Sequence, residues 1–280
     1  MNLLFASDIH GSEKRYKKLF NVIEKKNPDA VLLGGDLLPH ALKEYSMQEF
    51  IETHIFEKIK AVKKKTDTEF YVIFGNDDPR IYEKTFIETS ENGLIHYIHK
   101  KTEELGDFFI SGYSYVPPTP FQLKDWERYD VSRFVDVGAI PPESGIHTID
   151  PPEEIRHHTI KDDLEELEKS SDPKKTIFLF HAPPYKTFLD RAALDGHFVD
   201  YAPLDVHIGS IAILRFIEKY QPFMTLHGHV HESTQLTGSW QQKIGSTFCM
   251  NAAHDGPELS VITIDTKNPN DAKREIFSVD

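Results

Sequence analysis

Three short apolar runs, each ending in a polar turn, constrain this chain more than anything else in it. Residues 3–6 lead into Ser7-Asp8-Ile9-His10-Gly11, residues 30–33 into Gly34-Gly35-Asp36, and residues 70–74 into Gly75-Asn76-Asp77-Asp78. Between them, apolar residues recur at helical spacing. Tyr16, Leu19, Phe20 and Ile23 mark one helix, closed by Asn27-Pro28, and Phe50, Ile51, Ile55, Ile59 and Val62 mark another. Strand and helix alternating at this pace build a mostly parallel sheet, because parallel neighbours need a crossover connection. Ligand sites in such sheets lie beyond the carboxyl ends of the strands. Asp8, Asp36 and Asn76 stand at those ends.

The second half has a different texture. Phe108–Tyr113 and Thr176–Phe180 read as strands, separated by residues 114–175, which Pro117-Pro118, Pro141-Pro142 and Pro151-Pro152 punctuate. Residues 160–169 within that stretch read as a charged surface helix. A second irregular stretch, 186–208, follows His181-Ala182-Pro183-Pro184-Tyr185. Loops of this length inside a compact domain are functional or disordered as a rule. The expectation is one domain over residues 1–280, with 114–175 and 186–208 forming loops or a small cap. A helix at 210–220, strands at 245–251 and Leu259–Asp265, and a polar edge element at 267–280 complete the reading.

Composition narrows the partners. The net charge of the 280-residue chain is -13, and an acidic surface repels a phosphate backbone, so sequence-independent nucleic-acid binding is disfavoured. A small phosphorylated substrate, a nucleotide among the candidates, fits better, and a homo-oligomer is left open. The single cysteine, Cys249, excludes an intrachain disulfide. The N-terminal stretch lacks a basic region and Asp8 interrupts it, so it reads as a first strand and not a signal peptide. No apolar run approaches the ~20 residues of a membrane span. Cytoplasmic residence without a membrane partner is the expectation.

Five segments carry the chemistry: Asp8-Ile9-His10, Gly35-Asp36, Gly75-Asn76-Asp77-Asp78, His181-Ala182-Pro183-Pro184 and Gly228-His229-Val230-His231. Each sets an oxygen or imidazole ligand just after an apolar run. If the chain stays extended there, residues two apart face one side, so Asp8 can converge with His10, and His229 and His231 can straddle a pair of ions. Any one segment alone is commonplace. Together, in this order and each at a strand end, they are hard to explain by packing. Mixed carboxylate and imidazole ligation suits Mn, Fe, Zn, Ni or Co better than Ca or Mg.

The order D-x-H, G-D, G-N-x-D, H and G-H-x-H resembles that of the calcineurin-like metallophosphoesterases, over roughly residues 3–233. His181-Ala182-Pro183-Pro184-Tyr185 and residues 226–233 look like the branch related to cyclic-nucleotide phosphodiesterases. The resemblance implies an α/β fold, a four-layer αββα sandwich. It also implies two divalent metal ions, one held by Asp8, His10, Asp36 and His231, the other by Asp36, Asn76, His181 and His229, with Asp36 bridging. A bridging water or hydroxide would then attack the phosphorus, with the metals stabilising the phosphoryl oxygens.

One position departs from the family. Where its G-N-H-D/E carries a histidine that serves the phosphate or the leaving oxygen, this chain has Asp77. Two nearby cations favour an ionised Asp77, and a carboxylate repels phosphate oxygens, so the histidine's role does not transfer. Three readings stay open. His40 or His207 supplies the proton; the leaving group is acidic enough to need none; or the chain binds metal without efficient turnover. Arg80 either offsets Asp77 or forms a surface salt bridge. The helix opened by His207, Gly209 and Ser210 either receives a phosphate at its amides or carries a plain cap. His227 either supports a ligand or faces away, and His157-His158 reads as solvated. Pro118, Thr119, Pro120 and Phe121 with Trp126 form a cleft wall or a hydrophobic anchor. The expected activity is hydrolysis of a phosphodiester, cyclic nucleotide or related small phosphate compound. A phosphomonoesterase or protein phosphatase, or a non-catalytic metal-binding scaffold, is the alternative.

Overall fold

A computed structural model describes residues 1–40 and 46–279. Among them the strands are, in chain order, β1 (Asn2–Ala6), β2 (Ala30–Gly34), β3 (Glu69–Ile73), β4 (His96–Tyr97), β5 (Thr102–Leu105), β6 (Phe108–Tyr113), β7 (Thr176–Phe180), β8 (Phe198–Val199), β9 (Ala202–Pro203), β10 (Met224–His227), β11 (Gln241–Ile244), β12 (Thr247–Asn251), β13 (Leu259–Asp265) and β14 (Lys273–Phe277). They form two six-stranded sheets, ordered β14-β13-β1-β2-β3-β4 and β11-β12-β10-β7-β6-β5, with β8 and β9 as a separate hairpin. The inner strands β1 to β4 run parallel, as do β6, β7, β10 and β12. Antiparallel β13 and β14 close one edge of the first sheet, and β5 and β11 close the edges of the second. The polar tail thus supplies an edge strand, as its composition suggests.

The layering follows from side-chain alternation. Leu3, Phe5, Ala30, Leu32, Tyr71 and Ile73 meet Ile177, Leu179, Met224 and Leu226 in a core between the sheets. The alternate residues Leu4, Ala6, Val31, Leu33, Val72 and Phe74, with Phe178 and Phe180, turn outward to a second core shared with the helices. Strands buried on both faces read as continuous apolar runs. Helix α1 (Glu13–Lys26) starts at a Ser12 cap, buries Tyr16, Leu19, Phe20, Val22 and Ile23, and ends where Asn27 turns left-handed. The next helix is not uniform. Its first turn, α2 (Met47–Phe50), widens into a π-helical stretch, Ile51–Phe56, before α3 (Glu57–Lys63). Helix α4 (Glu83–Glu91) follows β3, and helices α5 (Ile160–Leu167) and α6 (Ile211–Tyr220) cover the second sheet, so the architecture is the four-layer αββα sandwich.

Residues 114–175 are tied to this frame from within. Trp126 is fully buried, its Nε1 donates to the Asp78 carbonyl at 2.8 Å, and its ring packs on Phe74, His99 and Tyr115. The anchor reading therefore holds for Trp126, which has no surface left to line a cleft, whereas Phe121 is exposed. Helix α5 is more than a surface helix, since Ile160, Asp163, Leu164 and Leu167 are buried. Asp163 accepts from Lys100 (2.6 Å), Tyr113 (2.7 Å) and Arg128 (2.7 Å), and stands 3.0 Å from His158 Nε2. That partner corrects the expectation that His158 is simply solvated; His157 is exposed.

Candidate metal centre

Every ligand-bearing turn sits just past a parallel strand: Asp8 after β1, Asp36 after β2, Asn76 after β3, His181 after β7 and His229 after β10. The chain does not stay extended there. Asp8 (φ 57°), His10 (φ 48°), Asp36 (φ 53°) and His229 (φ 71°) are left-handed, a conformation that costs a non-glycine residue about 1 kcal/mol. The alternation argument for Asp8 with His10, and for His229 with His231, is corrected accordingly. Convergence comes from turns held by cross-loop hydrogen bonds. The Asp8, His10 and Gly11 amides donate to the carbonyls of Gly35 (2.9 Å), Asp36 (2.8 Å) and Leu37 (3.0 Å). The His229 amide donates to Asp8 Oδ1 at 3.0 Å. Two glycines let the loops close this tightly. A Cβ on Gly75 would lie 2.3 Å from Asp36 Oδ1, and one on Gly228 would lie 2.5 Å from Asp8 Oδ2.

Among the described residues two ligand groups match the expected set, Asp8 with His10 and His231, and Asp36 with His181 and His229, and a third brings His40 and Asp77 to His10. His231 Nε2 lies 3.1 Å from Asp8 Oδ1 and 3.1 Å from His10 Nε2. Asp36 Oδ2 lies 3.2 Å from His181 Nε2 and 3.9 Å from His10 Nε2, which places it between the groups. Asn76 joins through its Oδ1, 3.1 Å from His181 Nε2. His181 Nδ1 donates to the Gly34 carbonyl at 2.8 Å, so Nε2 faces inward. Among the described residues, buried Asp8 Oδ2 and His10 Nδ1 have no hydrogen-bond partner. An uncompensated buried carboxylate oxygen is costly, and a cation satisfies it. The donor set fits divalent metal.

The electrostatics agree. Burial opposes ionisation of Asp8, but His231, through a hydrogen bond and charge, with His181 and His10, holds its carboxyl below the usual range. Burial likewise opposes Asp36, which His181 nonetheless draws down to about 2. Burial works against protonated His181 and His231, yet Asp36 raises the former to about 10 and Asp8 the latter to about 9. The protons on these imidazoles only partly offset the buried carboxylates, and a divalent ion would take their place, since a ligating histidine is neutral.

The calcineurin-like phosphoesterase family model matches residues 1–233. This chain belongs to that family. Members are metal-dependent phosphoester hydrolases that generally use a dinuclear divalent-metal site, and the two ligand groups fit such a site. Among solved structures, TT1561 of Thermus thermophilus is similar at 17% identity, covering 100% of this chain and 99% of that one with a TM-score of 0.55. A dimetal phosphatase from Danio rerio is similar at 11% identity, covering 99% of each chain, with a TM-score of 0.55. At these identities the likeness is one of fold. No curated protein matches the chain in sequence.

At the position where the calcineurin-like signature has a histidine, Asp77 Oδ2 stands 3.6 Å from His10 Nδ1 and 3.5 Å from His40 Nε2. Burial, then Asp36, raises its carboxyl to about 6. His40 is 64% exposed and its ring stacks on His10. Arg80 does not offset Asp77. Its guanidinium is committed to Glu83 (3.0 Å) and Tyr115 (3.1 Å) and lies over Trp126. His207 also lies apart, with Nδ1 2.8 Å from Asp190. The helix that follows it is plainly capped: Ser210 accepts from Ile213, and Asp130 accepts from Ile211 and Ala212. His227 faces back toward the Ala182 carbonyl and Thr225, away from the ligands.

Sequence reasoning missed Asp78. Its Oδ1 accepts from the Leu37 and Leu38 amides (2.8 and 2.7 Å) and its Oδ2 from Gly75 (2.9 Å), lacing the Asp36 loop to the Asn76 loop. The doubled aspartate of Gly75-Asn76-Asp77-Asp78 was the available signal.

Proposed function

We propose that this phosphoesterase is a dinuclear hydrolase of a phosphodiester or related small phosphate compound, cyclic nucleotides included. The observation that carries the reading is the meeting of oxygen and imidazole donors from five strand ends in two adjoining groups, where Asp8 Oδ2 is buried and, among the described residues, has no hydrogen-bond partner. In it, Asp8, His10, Asp36 and His231 hold one ion, and Asp36, Asn76, His181 and His229 hold the other. The position of Asp36 between the groups supports its bridging role. Mn, Fe, Zn, Ni and Co suit such a donor set. When bound, the ions supply Lewis-acid stabilisation of phosphoryl charge and an acidified water.

The chain's own groups bear on the substrate class. An ionised Asp77 at the rim neither donates to a phosphate oxygen nor protonates an alkoxide, which favours activated diesters and anhydrides, whose leaving groups need no proton, over alkyl monoesters. His40, exposed beside Asp77, is the candidate proton donor to a leaving oxygen. His207 and Arg80 stay outside this reading. Residues 186–208 reach the rim through the Ala193 amide, which donates to Glu232 Oε1 (3.0 Å) next to His231, so this stretch bears on substrate choice.

With manganese added, bis(p-nitrophenyl) phosphate is expected to turn over faster than p-nitrophenyl phosphate. The reverse preference would replace the diester reading with a monoesterase. Silence on both substrates, with two tightly held metals, would favour a non-catalytic scaffold.

A further inference from the structure

Arg15 makes contacts that the packing of α1 does not require. It lies in the first turn of that helix, half-buried, whereas the core face of α1 is built from Tyr16, Leu19, Phe20, Val22 and Ile23. Its guanidinium turns toward the metal centre. Nη1 donates to the backbone carbonyl of Asp8 at 2.8 Å, Nη2 to the carbonyl of Gly256, and Nε to the carbonyl of Pro257 at 3.3 Å. The planar, forked guanidinium can reach several acceptors at once, which a lysine ammonium on its flexible stem cannot reproduce.

The carbonyl it holds belongs to a left-handed residue. Asp8 has φ 57°, and its amide is fixed by Gly35, but past the end of β1 no strand ladder takes up its carbonyl. Among the described residues, the donor to that carbonyl is Arg15. The other end of the clamp is itself braced. Arg274 Nη2 donates to the Ala253 carbonyl at 2.7 Å, and His254 Nε2 lies 3.2 Å from Glu258 Oε2. These residues lie beyond the 1–233 stretch that matches the family. The clamp therefore ties a ligand turn near the N-terminus to a loop supplied by the C-terminal strands.

We propose that Arg15 is a positioning residue for Asp8, holding the turn so that the carboxylate presents its unpaired oxygen to a metal ion. The proposal rests on the reading of Asp8 as a ligand. A group that orients a ligand typically contributes tenfold to a hundredfold in metal affinity.

The test compares wild type with R15A, R15Q and R15K in manganese titrations, in the visible spectrum of the cobalt-loaded protein, and in thermal unfolding of the metal-stripped protein. Wild type is expected to take up two ions. R15A and R15Q are expected to bind manganese about tenfold to hundredfold more weakly and to shift the cobalt bands. R15K is expected to fall between, because it keeps the charge and loses the fork. Unchanged affinity and an unchanged cobalt spectrum in R15A, whatever happens to its metal-free melting temperature, would overturn the proposal and leave Arg15 a purely structural tie. Should R15A and R15Q fail to fold, R15K decides on the same two readouts. A wild-type protein that takes up no divalent metal would instead overturn the dinuclear reading, an outcome visible before any variant is compared.

Discussion

Asp36 shows how much one side chain is asked to do here. One carboxylate oxygen faces His181 at 3.2 Å and His10 at 3.9 Å, while the other accepts the Asp77 amide at 2.8 Å. Asp36→Asn keeps the shape and removes the charge that two cations would share. It is expected to lower bound metal sharply, from two ions toward one or none, as read by elemental analysis after dialysis. Full stoichiometry would contradict the bridging assignment. Asp77 is the complementary case, a carboxylate where the family has a proton donor. Asp77→His is expected to raise hydrolysis of an alkyl monoester, glycerol 2-phosphate, relative to bis(p-nitrophenyl) phosphate, because an alkoxide gains most from a proton donor. Loss of turnover on both substrates would mean that Asp77 has a positive role, through the imidazoles of His10 and His40 that flank it.

Among the elements, the long stretch between β6 and β7 reads as loop in sequence and is built like a core. Lys124 and Glu127, both without solvent exposure, pair at 2.5 Å, and Glu127 also takes the Thr119 amide at 2.8 Å. Lys124 Nζ donates in turn to the Thr119 carbonyl at 2.7 Å. Taking two charges out of water is repaid only while both are present, and removing one partner leaves the other uncompensated. Glu127→Leu is therefore expected to cost about 3–5 kcal/mol in urea unfolding, and the double variant Lys124→Met with Glu127→Leu much less. Equal losses in the single and double variants would show that the pair is not coupled. The same physics explains why the proline pairs misdirect a reader. They mark bends in a segment whose backbone order comes from buried charge pairs, which have no periodicity in sequence.

For the molecule as a whole, the seam between the first sheet and this stretch runs past His99. That imidazole is buried, packs against Tyr113, Tyr115 and Trp126, and accepts the Ser114 amide at 3.1 Å. Burial, and then the charges of Arg80, Lys100 and Arg128, push it well below the ordinary histidine value. The sign follows from proton binding. The folded chain keeps His99 neutral, and the unfolded chain protonates it near pH ~6.5. Its contribution to stability is therefore complete above that pH and is lost as pH falls below it, by up to about 1.4 kcal/mol per pH unit. His99→Gln should be less stable at neutral pH but lose less between pH 7.5 and 5.5 than wild type, as measured by urea midpoints. Parallel pH dependences would show that His99 does not titrate with folding. The chain also contains, among its described residues, no helix long and apolar enough to cross a membrane.

The sequence by itself determined the inner strands, the order of the ligand-bearing turns and the residues on them. Those depend on local rules: apolar alternation, a helical repeat, and polar residues at strand ends. The tertiary structure alone decided what those residues meet. Strand β4 has two residues and β5 is largely polar, so neither carries a readable pattern, and both exist because β3 and β6 offer edges to pair with. Arg80 and His207 stand close in sequence to the right motifs and were drawn away by Glu83, Tyr115 and Asp190. Asp8 and His10 converge through left-handed turns that hydrogen bonds from neighbouring loops hold in place. Pattern reports what a residue prefers near its own neighbours in the chain. Conformational cost and charge compensation are settled by residues far away in sequence, and only the fold brings those within reach.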